Sequence, residues 1–152
     1  MTFGLIAVPG TPRASVAQEP AAPASGVSGA WSARIYRLEG GPEHRVEGTI
    51  FFTESDWTVL FFVVGSDGEP RRASAEGGTY TIRGDQLVLT HLHNFAAGEA
   101  MEGLPESPMS MVFRDAAEAP TEPTRVEVQG NILTLFFPSG NFMQFERSSG
   151  GG

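Results

Sequence analysis

The chain contains no cysteine, so it can form no disulfide, offer no thiol nucleophile and build no thiolate metal site. Basic residues are scarce as well. Ten Lys and Arg stand against eighteen Asp and Glu, a formal charge of −8, and the nearest thing to a basic cluster is Arg71-Arg72. A phosphate-binding surface needs concentrated positive charge, so no nucleic-acid partner is expected. The same acidity weighs against anionic membrane surfaces, and no apolar run approaches the length of a membrane-spanning helix. Apolar residues are nowhere sustained at helical spacing. There is no nucleophile-elbow glycine pattern, and Gly77-Gly78 opens a strand instead of a phosphate-cradling helix.

What the chain does contain is 19 glycines and 11 prolines, most of them between short apolar runs or near the N-terminus. That distribution suits an all-β protein with many tight turns. Residues 1–28 are rich in Ala, Pro, Gly and Ser without alternation, which predicts a disordered leader. Phe3–Val8 is a short apolar run, and Ser15-Val16-Ala17 before Gln18 has small residues suited to a signal peptidase. The charged n-region is missing and the run is shorter than an ordinary h-region. Two readings therefore stand: the remnant of a targeting segment, implying a secreted or periplasmic protein, or a linker. Residues 149–152 read as a flexible tail, and 29–148 as the folded domain.

Within that domain, alternating apolar residues mark strands and turn residues separate them. Trp31, Ala33 and Ile35 share one face of a strand running to about Leu38. Arg45–Thr53 places Val46, Gly48, Ile50 and Phe52 on one face. Trp57–Val64 is apolar on both faces, which predicts a covered outer surface such as a homodimer contact. After the loop Gly65–Pro70 come a hairpin of Thr79–Arg83 and Gln86–Asn94, a strand at Met109–Arg114, and a meander of Arg125–Val128, Asn131–Phe137 and Asn141–Arg147. Acidic loops occupy 96–108 and 116–123. The total is eight to ten strands, nearly every one with an apolar face that no helix is available to cover. Closure into an up-and-down antiparallel barrel buries those faces and removes unpaired edges. A two-sheet sandwich is the alternative.

Several stretches carry a resemblance. Gly29-Ala30-Trp31 opens the first strand and Arg147 ends the last, which is similar to the lipocalin signature of Gly-x-Trp with a basic residue packed over the indole. Gly48–Thr53, Gly78–Asp85, Ile132–Leu135 and Phe145-Glu146-Arg147 resemble bacterial lipocalin-like domains of the calycin type. The likeness covers roughly residues 28–148, and departs from the family in lacking its disulfide and in its shorter loops. It implies a barrel with a pocket for a small, mostly apolar ligand, and a guanidinium–indole stack worth roughly 0.5–2 kcal/mol.

Three histidines are present: His44, His91 and His93. On a continuous strand, His91 and His93 project from one face together with Leu87 and Leu89, so both imidazoles are expected in the pocket. Two imidazoles on one face are half of a transition-metal site. The fuller cupin pattern fails, because Glu99 follows His93 too late and Met143 stands where a histidine would follow Pro138-Ser139-Gly140. No cofactor is expected. The ligand-lining candidates are Trp57, Phe61, Tyr80, His91, His93, Met109, Met111 and Phe113, with ordinary core packing as the competing explanation for each. Glu99, Glu102, Glu106, Asp115, Glu118 and Glu122, opposed only by Arg114, favour cationic or neutral ligands if they ring the open end. Three functions are consistent with these features. One is a small-molecule binding barrel anchored by His91, His93 and Tyr80. Another is an isomerase, cyclase or metal-dependent enzyme using the same groups, and the last is an assembly module.

Overall fold

The computed structural model describes residues 26–149. Of the disordered leader expected over residues 1–28, residues 1–25 lie outside them, as do 150–152 of the tail; residues 26–28 are described and are ordered against the barrel, with Val27 1% exposed, which corrects the expectation there. Among the described residues ten strands form: β1 (Gly29–Arg37), β2 (Glu43–Phe52), β3 (Asp56–Val64), β4 (Pro70–Arg83), β5 (Gln86–Thr90), β6 (His93–Gly98), β7 (Ser107–Phe113), β8 (Thr121–Gln129), β9 (Ile132–Phe136) and β10 (Phe142–Arg147). Neighbours pair antiparallel in the order β1-β2-β3-β4-β5-β8-β9-β10, and β10 returns to β1. The result is a closed eight-stranded barrel, the closed one of the two arrangements that bury such apolar faces without a covering helix. The other two strands form a hairpin laid against β4, with β6 paired to Arg72–Gly77 and β7 paired to β6.

One end of the barrel is plugged. Trp31 is 0% exposed, and its indole N–H donates to the Val27 carbonyl at 2.7 Å. The Arg147 guanidinium lies 4.0 Å from the centre of that ring and donates to the carbonyls of Gly26 and Ser28. The segment before β1 is thereby clasped under the base, with Val27 buried against the core. Above the plug, Ile50, Leu87, Leu89, Leu133, Leu135 and Phe145 fill the lower barrel.

At the opposite end, the mouth, the loop after β6 folds back over the rim. Arg72 donates to the carbonyls of Glu99 and Pro105, His44 Nε2 bonds the Glu102 carbonyl at 3.0 Å, and Met101 packs against the core. Part of the rim is therefore roofed.

Three local departures from simple alternation position the interior groups. First, a bulge in β1 between Ala33 and Ile35 inserts an extra residue opposite β10. It flips the parity of the strand, so Ile35 pairs with outward Gln144 and Tyr36 pairs with inward Met143. The expectation that Ile35 shares the face of Trp31 and Ala33 is thus corrected. Second, β4 runs from Pro70, well ahead of the expected Thr79, and brings Glu76 onto the inner face. Third, the expected single strand Gln86–Asn94 is broken at His91-Leu92, where the chain leaves the lower half of β4 and rejoins its upper half as β6.

Candidate functional site

Between the apolar floor and the mouth lies a cavity of about 210 Å³. Its walls are Ile50, Val59, Leu89, Leu135, Met143 and Phe145, with the aromatic rings of Trp57, Phe61 and Phe137. The polar lining is concentrated in Tyr36, Glu76, His91, Glu122, Ser139 and Asn141. Glu76, His91 and Glu122 also line an outer cleft, shared with Asn94, Arg114, Thr121 and the prolines 120, 123 and 138. The three side chains therefore stand at the threshold between the interior and the surface.

The strand break aims His91. Its backbone N–H donates to the Pro120 carbonyl at 3.0 Å, and its own carbonyl accepts from Arg114 Nη1 at 3.3 Å. The Leu92 N–H donates to Gly77 and the Leu92 carbonyl accepts from Arg114 N. So pinned, the imidazole sits edge-on to Trp57, with ring centres 5.1 Å apart at 82°. The Trp57 indole N–H donates to the Thr90 carbonyl.

His91 Nδ1 lies 2.9 Å from Glu76 Oε2, while Nε2 is 4.0 Å from Glu122 Oε1. An ionised carboxylate only accepts, so the hydrogen bond to Glu76 puts a proton on Nδ1 and fixes the ring orientation. Nε2 is too far from Glu122 for a direct hydrogen bond, and the gap admits a bridging polar group. The carboxylates are themselves held: Ser74 Oγ donates to Glu76 and Thr124 Oγ1 to Glu122, each at 3.3 Å. This arrangement can take up a proton or a hydrogen bond at Nε2, and can hold a positive group between carboxylates.

Across the cavity, the Tyr36 hydroxyl accepts a hydrogen bond from Asn141 Nδ2 at 3.0 Å. Burial pushes its phenol above the ordinary 10.0, the Asn141 bond and Arg72 oppose the rise, and the charges of Glu76 and Glu122 add to it. Tyr80 is raised as well, first by burial and then by Asp56 and Glu54. These are the chain's two tyrosines. An absorbance titration at the phenolate band should therefore show both ionising above 10.0 in the folded protein. The unfolded chain loses those protons first, so folding stability falls as pH rises past the ordinary tyrosine value. Tyr36→Phe should lessen that alkaline loss. A phenolate titration centred at the free value would contradict the burial.

Of the residues singled out from the sequence, Trp57, Phe61 and His91 are brought together in the cavity. Tyr80 is not with them. It points inward nearer the base, where its hydroxyl donates to the Thr53 carbonyl at 2.7 Å and its ring meets Phe52 edge-on. His93 is separated from His91 by the strand break and lies on the outer face over Gly77, so the two imidazoles do not converge. Among the described residues no group of three His, Asp or Glu side chains is arranged to hold a metal ion. Met109, Met111 and Phe113 alternate along β7 as expected, but on the outside, 70%, 76% and 85% exposed. On the same outer surface Leu60 and Phe62 of β3 are also exposed. Among the six acidic loop residues, only Glu122 lines the cavity.

Sequence reasoning missed Tyr36, Glu76, Phe137 and Asn141. Gly77-Gly78 was the one available signal for Glu76, since paired glycines inside a strand mark a close backbone approach. Comparison with protein-family models, with curated proteins and with solved structures finds no match to this chain.

Proposed function

We propose that the barrel is a lipocalin-like binding protein that holds a small, mostly apolar molecule in the mouth cavity. The observation that carries the reading is a space of about 210 Å³ inside an otherwise packed barrel, walled by apolar and aromatic groups with a few polar ones: Glu76, His91 and Glu122 at the threshold, and Tyr36, Ser139 and Asn141 elsewhere in the lining. That is the usual composition of a small-molecule site. The Trp31–Arg147 stack at the base supports the lipocalin-like likeness. The volume lies between an apolar cavity that takes benzene, about 150 Å³, and the lower end of ordinary ligand pockets, about 300 Å³. One aromatic ring with a short side chain fills it.

A neutral probe of that size, 2-phenylethanol, should bind saturably with a Kd on the order of 0.1–1 mM, from typical affinities per heavy atom. Calorimetry and the change in Trp57 fluorescence should agree on the affinity. Val59→Phe, which puts a ring into the space, should abolish the signal while circular dichroism stays unchanged. A wild-type protein with no saturable binding up to roughly 10 mM, a range set by that affinity, would reject the reading.

A further inference from the structure

We propose that the cavity selects an organic cation, a primary ammonium carried on a single aromatic ring by a short chain, with the ammonium seated at Glu76 and Glu122. The inference rests on the cavity being a binding site and adds the charge of what it takes. Two carboxylates flank one imidazole at the threshold, so negative charge is left over whether or not His91 is protonated.

Among the described residues no Lys or Arg is paired with either carboxylate. Among the described residues, His91 is the sole ion-pair partner of Glu76 and of Glu122. Two guanidiniums lie nearby, hydrogen-bonded to carbonyls and not to these carboxylates: Arg72 at the mouth loop, and Arg114 on the His91 carbonyl at the side of the outer cleft. An ammonium arriving through that cleft meets two carboxylates with lone pairs to spare: each Glu76 oxygen accepts one hydrogen bond, and Glu122 accepts one, at Oε1. A carboxylate ligand of the same size would meet the repulsion of both carboxylates at the threshold, opposed by the Arg114 guanidinium at the side of the cleft.

The walls suit the remainder of such a molecule. Trp57, Phe61 and Phe137 present rings directly behind the threshold, and aromatic faces attract a cation as well as packing against an aromatic ring. The 4.0 Å gap between His91 Nε2 and Glu122 is where a donor group can bridge without displacing a hydrogen bond already made.

The test uses three probes of matched skeleton and different charge: 2-phenylethylamine, 2-phenylethanol and phenylacetate, titrated calorimetrically into the full chain. The amine should bind at least about tenfold more tightly than the alcohol, the gain expected of charge-assisted hydrogen bonding, and phenylacetate should not bind measurably. In the isosteric double variant Glu76→Gln, Glu122→Gln, the amine and alcohol should become equal. If that variant fails to fold, the wild-type salt dependence decides: added NaCl should weaken the amine and leave the alcohol unchanged. Equal affinities in the wild-type protein, or an amine insensitive to salt, would overturn the charge selection while leaving the cavity as a neutral site. Failure of all three probes to bind would remove both the selection and the binding function.

Discussion

Replacing Trp31 with alanine is expected to destabilise the barrel by about 4 kcal/mol, the range for truncating a fully buried tryptophan in a core. Three losses combine at that position. The indole is 0% exposed and fills the closed base, so its removal leaves a cavity that the surrounding strands cannot collapse into without breaking ladder pairs to β2 and β10. The Val27 carbonyl loses its donor, and a buried acceptor left unsatisfied costs about 1–3 kcal/mol by itself. The Arg147 guanidinium loses the ring beneath it. Set against a typical domain stability of about 5–15 kcal/mol, that loss is roughly a quarter to four fifths of the total. Urea unfolding read by circular dichroism should show a lower midpoint with unchanged slope. Arg147→Ala makes the control. Arg147 is exposed, so losing its stack and its two solvent-accessible hydrogen bonds to the Gly26 and Ser28 carbonyls should cost about 1–2 kcal/mol. A Trp31→Ala midpoint no lower than that of Arg147→Ala would mean that the indole does not plug the base.

The same residue shows how far the sequence could be read. Trp31 near the start and Arg147 near the end were legible as a pair through the resemblance to the lipocalin signature, since alternation alone does not bring two strand ends together. The meander β8–β9–β10 was legible from turn chemistry, with Gln129-Gly130 and Pro138-Ser139-Gly140 as turns. Alternation, however, says which side chains share a face and not which face is inside. Met109, Met111 and Phe113 have the pattern of a core strand and lie on the outside of a hairpin. The candidate site was harder still. Tyr36 reaches the cavity only because a bulge inverts β1 after Ala33, and an inserted residue leaves no mark in a pattern of apolar and polar positions. Glu76 is a charged residue on an inner face, which hydropathy assigns to a loop. His91 lies in the cavity where the alternation of Leu87 and Leu89 places it, and the interruption after Thr90 is what turns His93, expected beside it, to the outside.

The interruption itself is the second place where a small change should have a large effect. At Gly78, β4 passes from its pairing with β6 to its pairing with β5, and the departing chain crosses close over the glycine. A methyl group there would stand 1.9 Å from the Thr90 carbonyl oxygen and 3.0 Å from Leu92 N. Both are backbone atoms of the segment that holds His91, so no side chain can swing away to make room. Gly78→Ala should therefore cost about 3 kcal/mol or more, at the upper end of overpacking effects, because β5 and β6 must separate from β4. Gly84 provides the contrast. It has φ +65° at the β4–β5 turn with open space around it, so Gly84→Ala pays only for the left-handed backbone, about 1–2 kcal/mol. The two variants differ in function too. Moving Thr90 and Leu92 moves the His91 ring relative to Glu76 and withdraws the acceptor of the Trp57 indole. Gly78→Ala should thus lose the near-ultraviolet circular dichroism of Trp57 and any preference for the amine probe, while Gly84→Ala keeps both. If Gly78→Ala matched the wild type in urea midpoint and in tryptophan signal, the crossing would be looser than these distances allow, and His91 would have to be held by its hydrogen bonds alone.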